Sequence, residues 1–188
     1  MKEDLLNYYN EHSSVAKEFF ATDCLTEISD RISKALRNGN FIYAFGNGGS
    51  AAEASHFIAE LTGRFELERK SYAAICLNDN MSIITAIAND YSFEQVFSKQ
   101  VQAYVKTNDI VIGFSTSGNS KNVNNALFEA NKLGAYTVGF TGEKESNIKK
   151  IANTVVSVPS SRTCIIQEIH LIAIHYISGQ VEKNLNIV

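Results

Sequence analysis

The chain has 188 residues, of which 45% are apolar and 20% charged, and its formal net charge is −3 at pH 7. That length predicts one domain over residues 1–188, with an N-terminal helical extension (1–38) and an α/β core (39–188). The mild acidity excludes the basic face that nucleic acid requires, and the densest basic stretches, Glu68-Arg69-Lys70 and Lys149-Lys150, are short.

From Asp4 to about Arg37 apolar residues recur at three- and four-residue steps: Leu5, Tyr8, Tyr9, then Val15, Phe19, Phe20, then Leu25, Ile28, Ile32, Leu36. This spacing predicts helix, with Thr22 or Asp23 capping a second one. The opening Met1-Lys2-Glu3-Asp4 leads into that polar pattern and not into an apolar run, so no secretory signal is expected. Helices preceding any strand pattern are expected to lie outside the sheet and to pack against another subunit.

After Asn38-Gly39-Asn40 the texture changes. Phe41–Phe45 reads as a buried strand, Gly46–Ser50 as a turn and Ala51–Leu61 as a helix. Tyr72–Leu77 is a second strand, followed by helical segments around Met81–Ala88 and Phe93–Val105. A third strand, Asp109–Phe114, ends in Ser115-Thr116-Ser117-Gly118-Asn119-Ser120 and a helix from about Asn122 to Leu133. Ala135–Phe140 and Thr154–Val158 complete the strands, and a long helix runs from about Thr163 to Leu185. Five near-continuous apolar strands alternating with helices predict a doubly wound, five-stranded parallel sheet covered on both faces. Ligands bind such sheets at the carboxyl ends of the strands, where both glycine- and serine-rich turns fall.

Cys24, Cys76 and Cys164 are widely spaced and form no C-x-x-C, so reduced thiols are expected in place of a disulfide framework. The longest apolar run, Leu171–Ile177, is interrupted by His175 and falls well short of the roughly 20 residues that span a bilayer. A soluble cytoplasmic protein is expected.

Four groups of residues carry chemistry. The hydroxyls of Ser115, Thr116, Ser117 and Ser120, between a strand and a helix, suit a phosphate oxygen, and the helix start favours an anion. No P-loop lysine is present, so a phosphate monoester fits better than a nucleoside triphosphate; the plainer reading is a serine-rich turn with one N-cap. Gly46-Asn47-Gly48-Gly49-Ser50 is a similar turn. A dinucleotide fingerprint would need glycine at position 51, where alanine stands. His56 and Glu60 project from one helix face, as metal ligands, an acid–base pair or a surface ion pair. His175 lies in an apolar helix, where a satisfied core histidine is the alternative. Asn89-Asp90 adds a polar pair after an apolar helix, with an N-cap as its plainer reading.

Together GNGGSAAEASHFIAELTGRF (46–65), AIAND (86–90), STSGNS (115–120) and QEIHLIAIH (167–175) resemble the sugar isomerase (SIS) domain family, and within it the bacterial phosphoheptose isomerases. The resemblance spans nearly the whole chain. It implies a zinc ion, one per subunit, held by His56, Glu60, Gln167 and His175. It implies substrate contacts from Asn47, Gly48, Gly49, Ser50, Glu60, Asn89, Asp90, Ser115, Thr116, Ser117, Ser120 and Gln167. A homotetramer with active sites between subunits is implied as well. The implied reaction converts sedoheptulose 7-phosphate into D-glycero-D-manno-heptose 7-phosphate through an enediol, with Glu60 as base and His175 as acid, for bacterial surface polysaccharide. One departure stands out: Thr163-Cys164-Ile165-Ile166 occupies the place where the family often has acidic and basic residues.

Gln167 and His175 stand eight residues apart, about 12 Å along a straight helix, whereas metal–ligand bonds are about 2 Å. Either the side chains lean together or one ligand arrives from a neighbouring subunit, and an oligomeric site is the expectation. The competing class is a non-catalytic tetramer of the same fold that binds a replication initiator protein or a regulatory sugar phosphate. Such binders lack the residues that stand here as Glu60, Ser117 and His175.

Overall fold

The computed structural model describes residues 2–21 and 23–186. Two helices, α1 (Lys2–Phe19) and α2 (Cys24–Arg37), precede β1 (Ile42–Gly46) and α3 (Gly49–Thr62). Next come β2 (Ala74–Cys76), α4 (Met81–Asp90), a single 3-10 turn at Phe93–Gln95, and α5 (Ser98–Tyr104). The chain continues through β3 (Ile110–Phe114), α6 (Lys121–Lys132), β4 (Tyr136–Gly142), α7 (Asn147–Ile151) and β5 (Thr154–Val158), then α8 (Thr163–Asn186).

All five strands are parallel in the order β2-β1-β3-β4-β5. Successive side chains of a strand point to opposite faces. Ile42 and Ala44 of β1 accordingly join one core with α2, α3 and α8, while Tyr43 and Phe45 join another with α5 and α6. This is the doubly wound sheet anticipated from the strand pattern. Strand order reverses between β1 and β3, which opens a crevice at their carboxyl ends. Among the described residues no helix is long and apolar enough to cross a membrane.

The N-terminal helices differ from each other. Leu25, Ile28 and Ile32 of α2 are buried in the chain's own core, packed against α8. On α1 the buried residue is Phe19, while Leu5, Leu6 and Tyr9 stay exposed. Asp23 sits at the N-cap of α2 without a side-chain cap bond; the alternative cap, Thr22, lies outside the described residues.

Three local readings change. Asn89 and Asp90 form the last turn of α4 and are no N-cap; that helix is capped by Asn80, whose side chain accepts from the Ile83 amide at 3.1 Å. The segment 93–105 breaks after its 3-10 turn, which lets the adjacent Val96 and Phe97 both bury. The five-residue α7 is too short to show a helical period, and Ile148 is its one buried anchor.

Candidate active site

The two loops at the switch point face each other. Gly46, the last residue of β1, is gripped by Asn78, which accepts from its amide at 3.1 Å and donates to its carbonyl at 2.9 Å. The turn Asn47-Gly48 then starts α3, with Ser50 buried in the first turn. Beyond β3, the Gly118 amide donates to the Ser115 carbonyl at 2.8 Å, and Gly118 itself takes φ +65°, a conformation glycine adopts without strain. Ser115 Oγ donates to Ser120 Oγ at 3.0 Å, and Ser117 Oγ accepts from the Asn119 amide at 3.2 Å. Thr116 and Ser117 line a cavity of about 300 Å³ together with Lys144, Ser160 and Thr163. Its hydroxyls and the start of α8 at Thr163 suit an oxyanion, against the opposing charge of Glu143 and Glu145, which line it too.

Asn47 and Asn122 tie these loops together through a reciprocal amide pair, each Nδ2 donating to the other's Oδ1 at 2.8 Å. Asn122 is buried and absent from the motifs read in the sequence. Its separation of 75 residues from Asn47 hides the partnership until the sheet brings the two strand ends together.

His56 and Glu60, one turn apart on α3, meet His175 of α8. His56 Nε2 lies 2.9 Å from Glu60 Oε1 and 3.1 Å from His175 Nε2. One ligand atom from each of the three residues lies within 4.8 Å of the others. Atom Nε2 of His56 carries at most one proton yet faces two such neighbours, as metal donors do. Ligands at about 2.0–2.1 Å around a tetrahedral zinc stand roughly 3.3–3.4 Å apart, close to what is seen, and two imidazoles with a carboxylate suit that ion. The three residues therefore fit a zinc ion with a position left open. They come from one chain, so no neighbouring subunit is needed to assemble them.

Gln167 is placed elsewhere on the seam. Its amide lies where a Cβ would stand at Gly49, seven residues before His56 and about 10 Å earlier along the α3 axis. Asn89 and Asp90 are exposed, bonded to each other at 2.9 Å, on the helix layer across the sheet from α3 and α8. The single chain does not bring them to the three converging residues.

Of the two histidines on α8, the core one is His170 and not His175. It is fully buried between the rings of Phe114 and Phe140, with Nδ1 3.7 Å from the buried Glu53 carboxylate. Its Nε2 lies 3.3 Å from the Thr141 carbonyl, which only accepts, so Nε2 is the protonated nitrogen. Nδ1 and both Glu53 carboxylate oxygens are buried without a hydrogen-bond partner among the described residues, and the two side chains set α3 against α8 between Gln167 and His175.

A second buried pair closes the far end of α3. The Glu182 carboxylate accepts from the amides of Phe65, Glu66 and Leu67 at 2.9, 3.0 and 3.0 Å and from Arg69 Nε at 2.8 Å. The side chains of Arg69 and Glu182 are 2% and 1% exposed. Burial works to raise the Glu182 pKa, but the three amides and the guanidinium outweigh it and hold the carboxyl below its ordinary value. Arg69 also donates to the carbonyls of Glu60, Leu61 and Gly63, which end α3.

The sequence profile of the SIS domain matches residues 7–142. A probable phosphoheptose isomerase of Thermoplasma acidophilum is 47% identical over 93% of the chain and 96% of its own length. A phosphoheptose isomerase of Geobacter metallireducens is 42% identical over 98% of the chain and 99% of its own. Among solved structures, a phosphoheptose isomerase from Neisseria gonorrhoeae superposes with a TM-score of 0.91 at 34% identity, covering 97% of this chain and 98% of that one. One from Francisella tularensis gives 0.90 at 32%, covering 97% and 99%.

Proposed function

The chain belongs to the SIS domain family, and on that footing we propose that it is a phosphoheptose isomerase, interconverting sedoheptulose 7-phosphate and D-glycero-D-manno-heptose 7-phosphate. The observation that carries the reading is the convergence of His56, Glu60 and His175 within one chain. The reaction needs a base, an acid and stabilisation of developing charge.

Glu60 removes the C1 proton of the ketose through the carboxylate oxygen that His56 leaves free. His175 delivers a proton to O2, from Nε2 when the cluster is empty and from Nδ1 when Nε2 is engaged. The resulting enediol gives its O1 proton back to His175 as Glu60 returns a proton to C2. A zinc ion held by His56, Glu60 and His175, one per subunit, would polarise the carbonyl and stabilise the enediolate. Ser115, Thr116, Ser117 and Ser120 hold the phosphate. Asn47, Gly48, Gly49, Ser50 and Gln167 line the sugar.

We further place the working site in a homotetramer, where a neighbouring copy supplies Asn89 and Asp90. The exposed Leu5, Leu6 and Tyr9 on α1 and Ile172 and Tyr176 on α8 support burial against other copies. The proposed setting is the cytoplasm, feeding heptose to lipopolysaccharide or capsule.

The test follows sedoheptulose 7-phosphate in deuterated water by NMR, with and without a chelator. An aldose product carrying deuterium at C2 supports the reading; a failure of the untreated protein to convert the sugar overturns it.

A further inference from the structure

The imidazole of His175 turns about a soft torsion, so its direction depends on what packs against it. On one side His56 meets it edge-on, with ring centroids 4.9 Å apart and planes at 64°. On the other, Phe65 lies nearly parallel to it, at 5.7 Å and 27°. Phe65 belongs to the loop after α3, a segment with no regular structure to hold it. Its hold comes from Glu182, which accepts from three consecutive amides beginning with that of Phe65, and from Arg69, which joins the same carboxylate to the end of α3.

Gly179 completes the arrangement. A glycine inside a 24-residue helix costs about 1 kcal/mol against alanine. It stands one turn beyond His175, and a Cβ there would touch Phe65 Cε1 at 3.4 Å, an ordinary contact. Alanine fits this slot, whereas a larger side chain would take the space of the ring.

We propose that Phe65 is a positioning residue for His175: the buried Glu182–Arg69 pair pins the loop so that the phenyl ring holds the imidazole with Nε2 toward His56. The inference rests on His175 being the acid of the proposed isomerase. It predicts that the ring of Phe65, and not merely the loop's stability, sets turnover.

Four variants test it: Phe65→Ala, Phe65→Tyr, Gly179→Ala and Gly179→Val. Phe65→Ala and Gly179→Val should lower kcat by about tenfold to a hundredfold, the range expected for a misplaced catalytic group, with KM for the sugar phosphate changed by less than about twofold. Phe65→Tyr and Gly179→Ala, which keep the ring in place, should retain kcat within about twofold of the parent. In proton NMR of the imidazole, the ring-current shift from Phe65 should vanish in the first pair and persist in the second. Equal kcat in Phe65→Ala and Phe65→Tyr, a loss that appears in KM alone, or an unshifted imidazole in the parent chain would overturn the proposal. If the parent chain does not isomerise the sugar, the enzyme reading fails on its own, while the imidazole signal still decides whether Phe65 orients His175.

Discussion

Asn47 and Asn122 exchange two hydrogen bonds of 2.8 Å across the crevice between β1 and β3, which ties the glycine turn to the first turn of α6 behind the serine loop. Asn47, read in the sequence as a sugar contact, thus spends part of its amide on the scaffold. Replacing Asn122 by alanine leaves the Asn47 amide without its partner, a loss of about 1–3 kcal/mol. Urea denaturation of the two single variants and the double should show coupling, with the double variant less destabilised than the sum. Strict additivity would show that the pair contributes nothing jointly.

Glu60→Gln keeps the shape of the side chain and removes the base. Turnover should fall by about a hundredfold to ten-thousandfold while the sugar phosphate still binds, measured by calorimetric titration. Near-normal turnover would remove Glu60 from the mechanism.

Zinc should stabilise the folded chain by mass action, by about 2.7 kcal/mol at a free concentration one hundred times its Kd. His175→Ala should abolish that gain in a thermal melt, and a chelator should reverse it in the parent. An undiminished gain in His175→Ala would place the ion elsewhere.

Glu182 predicts an acid-dependent loss of stability. Its carboxyl sits below the ordinary value in the folded chain, because three amides and Arg69 together outweigh the opposing effect of burial. The unfolded chain takes up the proton near pH 4.3, so the stabilisation is complete above that pH and is lost as pH falls through the lower native value. The difference in Tm between the parent and Glu182→Gln should be large at pH 7 and shrink below about pH 4. A constant difference across that range would separate the carboxylate's charge from its effect.

Glu53 and His170 bear on stability differently. Removing one partner of a buried pair typically costs about 3–5 kcal/mol, whereas replacing both by apolar groups is often neutral. Glu53→Leu and His170→Phe should each lower the urea midpoint, and the double variant should recover most of it. No recovery would show that the cost of each substitution does not depend on the other side chain.

The α8 sequence carried more than its motif. Ile166, Ile169, His170, Ala173, Ile174, Ile177 and Val181 follow three- and four-residue steps and are all buried. His170 falls on that stripe and His175 does not, so the spacing itself separates the core histidine from the one facing His56. Glu182 lies on the same buried side, a charge whose partner had to be found elsewhere. The strands β1, β3 and β4 were legible because burial on both faces makes them continuous apolar runs. The loop at 63–69 was not, since its charges read as a solvated surface until Arg69 is seen inside. Nor was the Asn47–Asn122 pair, which exists only once two distant strands are neighbours. The position of Gln167 beside Gly49 likewise depends on how α3 and α8 are set against each other, which no spacing within either helix reveals.

The Glu182 clamp also orders events in time. His56 and Glu60 are made more than a hundred residues before His175 and Glu182, and bringing residues so distant in sequence together costs loop-closure entropy. A growing chain that has completed α3 holds two of the three converging residues with an unfastened loop beside them. The three converging residues are therefore together only when α8 is docked, and its docking supplies the missing imidazole and the anchor for its neighbour together.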